Sequence, residues 1–154
     1  MTPLDPDLAT ATDDQALASF WDAVQRVQGG ETGRHGVTDA DMLAGLLTAA
    51  DSALLRIIEA DGRDLEAARA AIANAVTTEA AAFEGEGIGM TRSARRVAET
   101  MFEERRVRGG TQRQEHILLG LLIAGGAPVK AVLATLGIDR ARVLRELPPP
   151  GTGA

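Results

Sequence analysis

The chain contains an internal repeat, and this repeat constrains the fold more than any other feature. Residues 42–47 read Met-Leu-Ala-Gly-Leu-Leu, and residues 117–122, which lie 75 positions later, read Ile-Leu-Leu-Gly-Leu-Leu. The same offset superposes two glycines and two aspartates, Gly62 on Gly137 and Asp64 on Asp139. One Gly-Leu-Leu match arises easily by chance, but an ordered series of glycines, caps and apolar positions does not. The sequence therefore predicts two copies of one structural unit.

Composition indicates that both copies are helical. The 154 residues include one Trp, no Tyr and three Phe, and Ala and Leu dominate the apolar fraction. Sheets favour aromatic and β-branched residues, whereas helices favour Ala, Leu, Arg and Glu. Because the length suits one ordinary domain or two small halves that share a core, the sequence predicts a single all-α body.

Helix-start signals divide each copy into four helices. Four such signals stand in the second copy: Thr91, a capping box at 111–114, Pro128 in a first turn, and Asp139. In the first copy, residues 38–41 (Thr-Asp-Ala-Asp) start the second helix. The segment 117–123 is apolar nearly all round, which is typical of a buried helix. The pattern predicts about eight helices.

Glycine and proline runs set the expected organisation along the chain. Residues 83–90 are rich in glycine, and the chain ends in a run that contains three prolines. We expect a flexible N-terminal lead, a degenerate first copy, a connector, a second copy and a Pro/Gly tail, at residues 1–11, 12–82, 83–90, 91–147 and 148–154.

Charge and residue usage exclude several functional classes. The net charge of −6 and the scarcity of aromatic residues argue against nucleic-acid binding, which needs phosphate neutralisation and stacking. Without cysteine, and with only His35 and His116, we expect no zinc site, no other metal and no cofactor. No segment approaches the roughly 20 apolar residues of a membrane span, and residues 1–14 lack a signal-peptide pattern, so we expect a cytoplasmic protein.

The sequence also lacks the usual signs of an enzyme. Its only lysine, Lys130, lies between Val129 and Ala131, so no phosphate-binding loop is present, and no serine stands in a nucleophile-elbow motif. Glu115 and His116 resemble a catalytic pair, but at a helix start such side chains more often satisfy free backbone N–H groups. We expect no catalytic residue.

Three segments of the second copy resemble the Clp repeat, the unit that forms the N-terminal domain of the Clp unfoldases. They are 91–99 (Thr-Arg-Ser-Ala-Arg-Arg-Val-Ala-Glu), 115–122 (Glu-His-Ile-Leu-Leu-Gly-Leu-Leu) and 132–139 (Val-Leu-Ala-Thr-Leu-Gly-Ile-Asp). In the first copy Ala40 and Asp41 replace the Glu-His pair. The resemblance implies two four-helix repeats in pseudo-twofold arrangement, here without the ATPase modules of the unfoldases.

The resemblance also implies a phosphoarginine site. In some relatives an acidic residue on the first helix of each repeat helps to bind arginine-phosphorylated proteins. Glu103 stands at that position in the second copy, and Asp22 roughly matches it in the first. However, residues 109–114 depart from the loop of the family, so the alternative is that both are solvated helix-face charges.

An arginine-rich stretch gives a second candidate surface. Arg95 and Arg96 belong to a cluster that also holds Arg92, Arg105, Arg106, Arg108 and Arg113. Interspersed glutamates at 99, 103 and 104 could make i,i+4 ion pairs with it on an exposed helix. Otherwise the cluster is a docking surface for an acidic partner.

A third candidate lies at the connector, where certain relatives bind cyclic-peptide antibiotics through apolar and aromatic side chains. Met90 stands where those relatives tend to have an aromatic residue, and Phe83 lies upstream. Both are equally compatible with a place in the core.

Two functional hypotheses follow from the resemblance. The first is a non-catalytic protein- and peptide-binding module of the Clp proteolysis system, which acts on an unfoldase, its substrates or its adaptors. The alternative is a protein that sequesters a cyclic-peptide antibiotic.

Overall fold

A computed structural model of the chain describes residues 20–24, 37–49, 51–82, 91–109 and 113–147. The expected lead, connector and tail lie outside these ranges, and so do Phe83 and Met90.

The described residues form eight helical segments, which confirms the all-α prediction. They are α1 (described over 20–24), α2 (Asp39–Thr48), α3 (Ala53–Ala60), α4 (Leu65–Ala82), α5 (Arg92–Arg108), α6 (Gln114–Ala124), α7 (Ala127–Thr135) and α8 (Arg140–Leu144). The Thr91 N–H donates to the Val37 carbonyl oxygen at 2.9 Å. This bond joins the segment that precedes α2 to the residue that caps α5, so it links the two copies.

The helices α2 and α6 form the centre of the core, as the apolar run at 117–123 predicts for α6. Leu43 and Leu46 on α2 are fully buried, and so are Leu118 and Leu121 on α6. Within the described ranges, no single helix is long and apolar enough to cross a bilayer. The helices α6 and α7 meet that test only as a pair bent by 118°.

The glycine of each repeated Gly-Leu-Leu motif allows a close helix contact. A Cβ atom at Gly120 would lie 2.8 Å from the Val97 carbonyl oxygen on α5, and one at Gly45 would lie 2.5 Å from Val24 Cγ2 on α1. Such distances are too short for real contacts, so in both copies the first helix approaches the second closely because a side chain is missing.

Matching helix ends confirm the 75-residue offset. Gly62 and Gly137 follow α3 and α7 with φ values of +67° and +72°. At both ends the next N–H closes a six-residue turn, from Arg63 to the Ile58 carbonyl at 3.0 Å and from Ile138 to the Leu133 carbonyl at 2.9 Å. These are Schellman caps, which need a left-handed residue and therefore favour glycine. Asp64 and Asp139 then accept N–H bonds at the starts of α4 and α8.

We predict that Gly120→Ala destabilises the fold by about 1–3 kcal/mol, because the new methyl meets a backbone carbonyl that cannot rotate away. Urea unfolding measures the change. Thr77→Ala on the exposed face of α4 is the control and should shift the free energy of unfolding by less than about 0.5 kcal/mol. A Gly120→Ala protein as stable as the parent would contradict the close approach of α5 and α6.

Candidate binding surface

The helix α5 presents a charged stripe opposite its buried face. Ala94, Val97 and Met101 are buried against the core, and Thr91 caps the helix by accepting the Ala94 N–H at 3.2 Å. With 3.6 residues per turn, the residues opposite that face form one line along the helix. The line, which we call the α5 stripe, consists of six exposed residues: Arg92, Arg95, Arg96, Glu99, Glu103 and Arg106.

The two ends of α5 differ in how their charges are paired. Towards the C-terminus, Glu103 pairs with Arg106, and Glu104 pairs with Arg108 at 3.3 Å. Towards the N-terminus, Arg92, Arg95 and Arg96 make no ion pair within the described part of the chain. The i,i+4 pairs that the sequence offers as an alternative therefore account for one half of the cluster only.

The order of the charges explains this difference. A glutamate placed N-terminal to its basic partner pairs better on a helix than the reverse order. Glu103 and Glu104 precede their partners, whereas Arg95 and Arg96 precede Glu99. The favourable order is present only in the C-terminal half.

Glu103 lies in the middle of this stripe. Its side chain is 51% exposed, and its carboxylate already contacts the Arg106 guanidinium. A ligand guanidinium would therefore compete with Arg106 for it. Asp22 is exposed on α1, in the other copy. The phosphoarginine role of both residues stays a prediction, as does the apolar site at Met90 and Phe83.

His116 caps the buried helix, as the sequence analysis expects. The Arg113 N–H donates to His116 Nδ1 at 2.9 Å. Burial, together with the Arg108 and Arg113 guanidinium groups, lowers the pKa of His116 to about 4, so the ring is neutral at physiological pH. The predicted capping box at 111–114 is wrong in register, because α6 begins at Gln114 and Arg113 is its N-cap.

The first copy caps α2 by the same geometry with different chemistry. The Thr38 N–H donates to Asp41 Oδ2 and the Asp41 N–H donates to Thr38 Oγ1, both at 3.0 Å. Asp41 is the residue that the 75-residue offset superposes on His116. The loss of the Glu-His pair in this copy therefore leaves the cap intact.

Glu115, the other half of that pair, holds a structural position. Only 3% of it is exposed, and its carboxylate lies 3.7 Å from an Arg56 nitrogen and 3.6 Å from Arg113 Nε. Arg56 belongs to α3 of the first copy. Glu115 therefore links the two copies.

Two buried polar side chains cross between the copies in reciprocal fashion. Gln114 Oε1 accepts the Ala53 N–H at the start of α3, at 2.8 Å. Asp39, which the offset superposes on Gln114, accepts the Gly126 N–H just before α7. Each copy thus caps the third helix of the other, which is the pseudo-twofold relation that the resemblance implies.

These two bonds form the junction between the copies. Beside Asp39 the junction contains an acidic cluster that the sequence did not indicate. Glu79 on α4 lies close enough to Asp39 to share a proton, and both carboxylates border Gly126. Burial raises the pKa of Glu79 to about 7, with further contributions from Asp39 and Asp41. Among the described residues, no acidic or histidine group is arranged to hold a metal ion. With this pKa, a substantial fraction of Glu79 keeps its proton near pH 7.

We predict that Glu79→Gln reduces the pH dependence of stability above pH 6.5. The pKa of Glu79 is higher in the folded state than its ordinary 4.5, so its stabilisation is complete below about pH 4.5 and disappears as pH rises through about 7. The pKa of His116 is shifted downwards, so its opposing effect ends near pH 6.5.

Thermal unfolding between pH 6.5 and 8 isolates this effect. The Tm of the parent should fall relative to that of Glu79→Gln over this interval. Glu59→Gln, at an exposed glutamate on α3, should follow the parent. Parallel curves for the parent and Glu79→Gln would show that the cluster holds no proton.

Comparisons with known proteins support the fold. No family model matches the chain, and no curated protein matches it. Among the solved structures, the chain is similar to the crystal structure of the Hsp104 N-terminal domain from Candida albicans, with a TM-score of 0.62 and 11% sequence identity. The match covers 84% of this chain and 85% of that chain. At this level of identity the similarity shows a shared fold, that of the Hsp104 N-terminal domain.

Proposed function

We propose that the chain is a non-catalytic protein- and peptide-binding module that works with an unfoldase of the Clp type. The observation that carries the proposal is the similarity to the Hsp104 N-terminal domain, which extends over 84% of the chain. The resemblance of residues 91–99, 115–122 and 132–139 to the Clp repeat supports it independently, because this resemblance lies in the sequence and not in the fold.

The roles of the polar residues in the second copy agree with this proposal. His116 and Glu115, the pair that most resembles catalytic machinery, are both engaged in capping and in ion pairing at the helix start. The α5 stripe, by contrast, carries six exposed charges on the outside of the fold. Such a surface suits recognition of another polypeptide in the cytoplasm, as an adaptor, an accessory subunit or a decoy.

The purified chain should bind a Clp-type unfoldase from the same cells with a Kd in the micromolar range, which corresponds to about −8 kcal/mol. Biolayer interferometry with the immobilised chain measures this, and a permanently unfolded protein (reduced, carboxymethylated lactalbumin) serves as a model substrate. Binding of neither analyte would contradict the proposal. Binding of a cyclic-peptide antibiotic in their place would favour the sequestration hypothesis.

The phosphoarginine part of the proposal has its own test. Glu103→Ala should weaken binding of a phosphoarginine peptide about tenfold, because a charge-assisted hydrogen bond to the guanidinium contributes about 1.5 kcal/mol or more. Glu99→Ala, which removes an equally exposed carboxylate from the same stripe, should change the affinity less than about twofold. Isothermal titration against the phosphorylated and plain arginine peptides measures both. Equal effects of the two variants would remove Glu103 from the site.

A further inference from the structure

We propose that the N-terminal half of the α5 stripe, formed by Arg92, Arg95 and Arg96, docks an acidic segment of a partner polypeptide. The inference rests on the proposed function and deepens it, because it assigns a chemical class to the partner.

The guanidinium groups of the three arginines are available for binding. All three are exposed, and within the described residues none of them makes an ion pair or a hydrogen bond through its guanidinium. At the other end of α5, Arg106 and Arg108 are engaged by Glu103 and Glu104. The N-terminal half therefore offers free planar donors, which suit bidentate binding of carboxylates.

These three positive charges stand at the N-terminus of α5, which is the unfavourable end of a helix for them. The N-terminus of a helix carries partial positive charge and is stabilised by acidic side chains. The first turn of α5 contains no acidic residue, and Arg92 is its first residue. A local rule that is broken with no compensating ion pair among the described residues is expected at a functional position.

The positive charge of the three arginines is opposite in sign to the net charge of the chain. The chain has a net charge of −6, so most of its surface repels an acidic polypeptide. Glu99 and Glu103 continue the stripe beyond Arg96 and limit the attractive region to a little over one helical turn, or roughly 6 Å. The glutamates at one end of the stripe therefore restrict where, and in which orientation, an acidic segment can bind.

The spacing of the arginines fits carboxylates on a peptide. Side chains three and four residues apart on a helix lie about 5–6 Å from each other at Cβ. Alternate side chains of an extended strand lie about 7 Å apart, since each residue advances the strand by about 3.3 Å. Glutamates or aspartates along an acidic segment can therefore meet two or three arginines at once.

The same surface is poorly suited to nucleic acid. Single-stranded nucleic acids are bound through aromatic stacking as well as phosphate contacts. The stripe contains no aromatic residue. Phe102, the aromatic residue of α5, lies on another face of the helix and packs against the core. We therefore favour an acidic polypeptide.

The test is fluorescence anisotropy with labelled decaglutamate as the probe, at 50 and 200 mM NaCl. Arg92→Ala, Arg95→Ala and Arg96→Ala together should weaken binding at least tenfold. The control removes the same charge elsewhere, through Arg69→Ala, Arg140→Ala and Arg145→Ala, at exposed positions on α4 and around α8. It should weaken binding less than about twofold, and the affinity of the parent should fall as salt rises.

Three results would overturn the proposal. They are no effect of the α5 triple variant, an equal effect of both triple variants, and tighter binding of a decathymidylate probe than of decaglutamate. The α5 variant should keep the Tm of the parent, because its three arginines are exposed and make no ion pair among the described residues, so unfolding would not explain a loss of binding.

One further variant separates this proposal from the proposed function. Glu103→Ala removes a negative charge from the stripe and should raise the decaglutamate affinity about twofold, whereas it should lower the affinity for a phosphoarginine peptide. If the parent binds decaglutamate but no unfoldase and no unfolded protein, the proposed function fails alone. If it binds those proteins and the α5 triple variant binds decaglutamate unchanged, the acidic docking surface fails alone.

Discussion

The two copies hold each other together through buried side chains that each one provides for the other. The N–H groups at a helix start have no partner inside the helix, and leaving such a group buried and unpaired costs about 1–3 kcal/mol. Gln114 supplies the missing acceptor for α3, and Asp39 supplies it for α7. Each copy therefore provides one acceptor for the third helix of the other, in addition to the Ser52 hydroxyl, which accepts the Leu55 N–H of α3 within the first copy. Burial and the neighbouring Asp39 carboxylate together raise the pKa of Glu79.

The close contact of the first two helices in each copy depends on a missing side chain. Gly45 and Gly120 allow α1 and α5 to approach α2 and α6 within distances that a methyl group would prevent. This contact brings Ala94, Val97 and Met101 fully into the core and thereby fixes the rotation of α5 about its axis. The direction of the α5 stripe follows from that rotation. A glycine in the buried helix therefore determines which charges face the solvent.

Much of this could be predicted from sequence because the determining signals are local or repeated. The Schellman glycines, the aspartate caps and the role of His116 depend on residues within about six positions of each other. The predicted capping box at 111–114 is wrong because a Thr-x-x-Gln pattern is common in sequences. The offset indicates the correct residue, since it places Arg113, the N-cap of α6, opposite Thr38, the N-cap of α2. The offset also pairs Asp39 with Gln114, and two polar residues at equivalent places in otherwise apolar helices were the available signal for the junction.

The proximity of Glu79 to Asp39 could not be predicted, because 40 residues separate them and only the packing of α4 on α2 brings them together. The division of the α5 stripe into a paired and an unpaired half was present in the order of its charges. To predict this division, one needs the rule that glutamate pairs best when it precedes its basic partner. The spacing of the charges alone suggests ion pairs along the whole stripe.

The separation of the junction from the stripe lets stability and recognition vary independently. The junction lies between the copies, and its polar groups are buried and matched one to one, so any change there affects the folded state directly. The stripe lies on the opposite side of α5 from the core, and its N-terminal arginines are exposed and make no ion pair among the described residues. The buried face and the Thr91 cap hold the backbone of α5 in place, so a partner would order only side chains when it binds. A rigid helix with unpaired arginines can therefore change its ligand by substitution without loss of the fold.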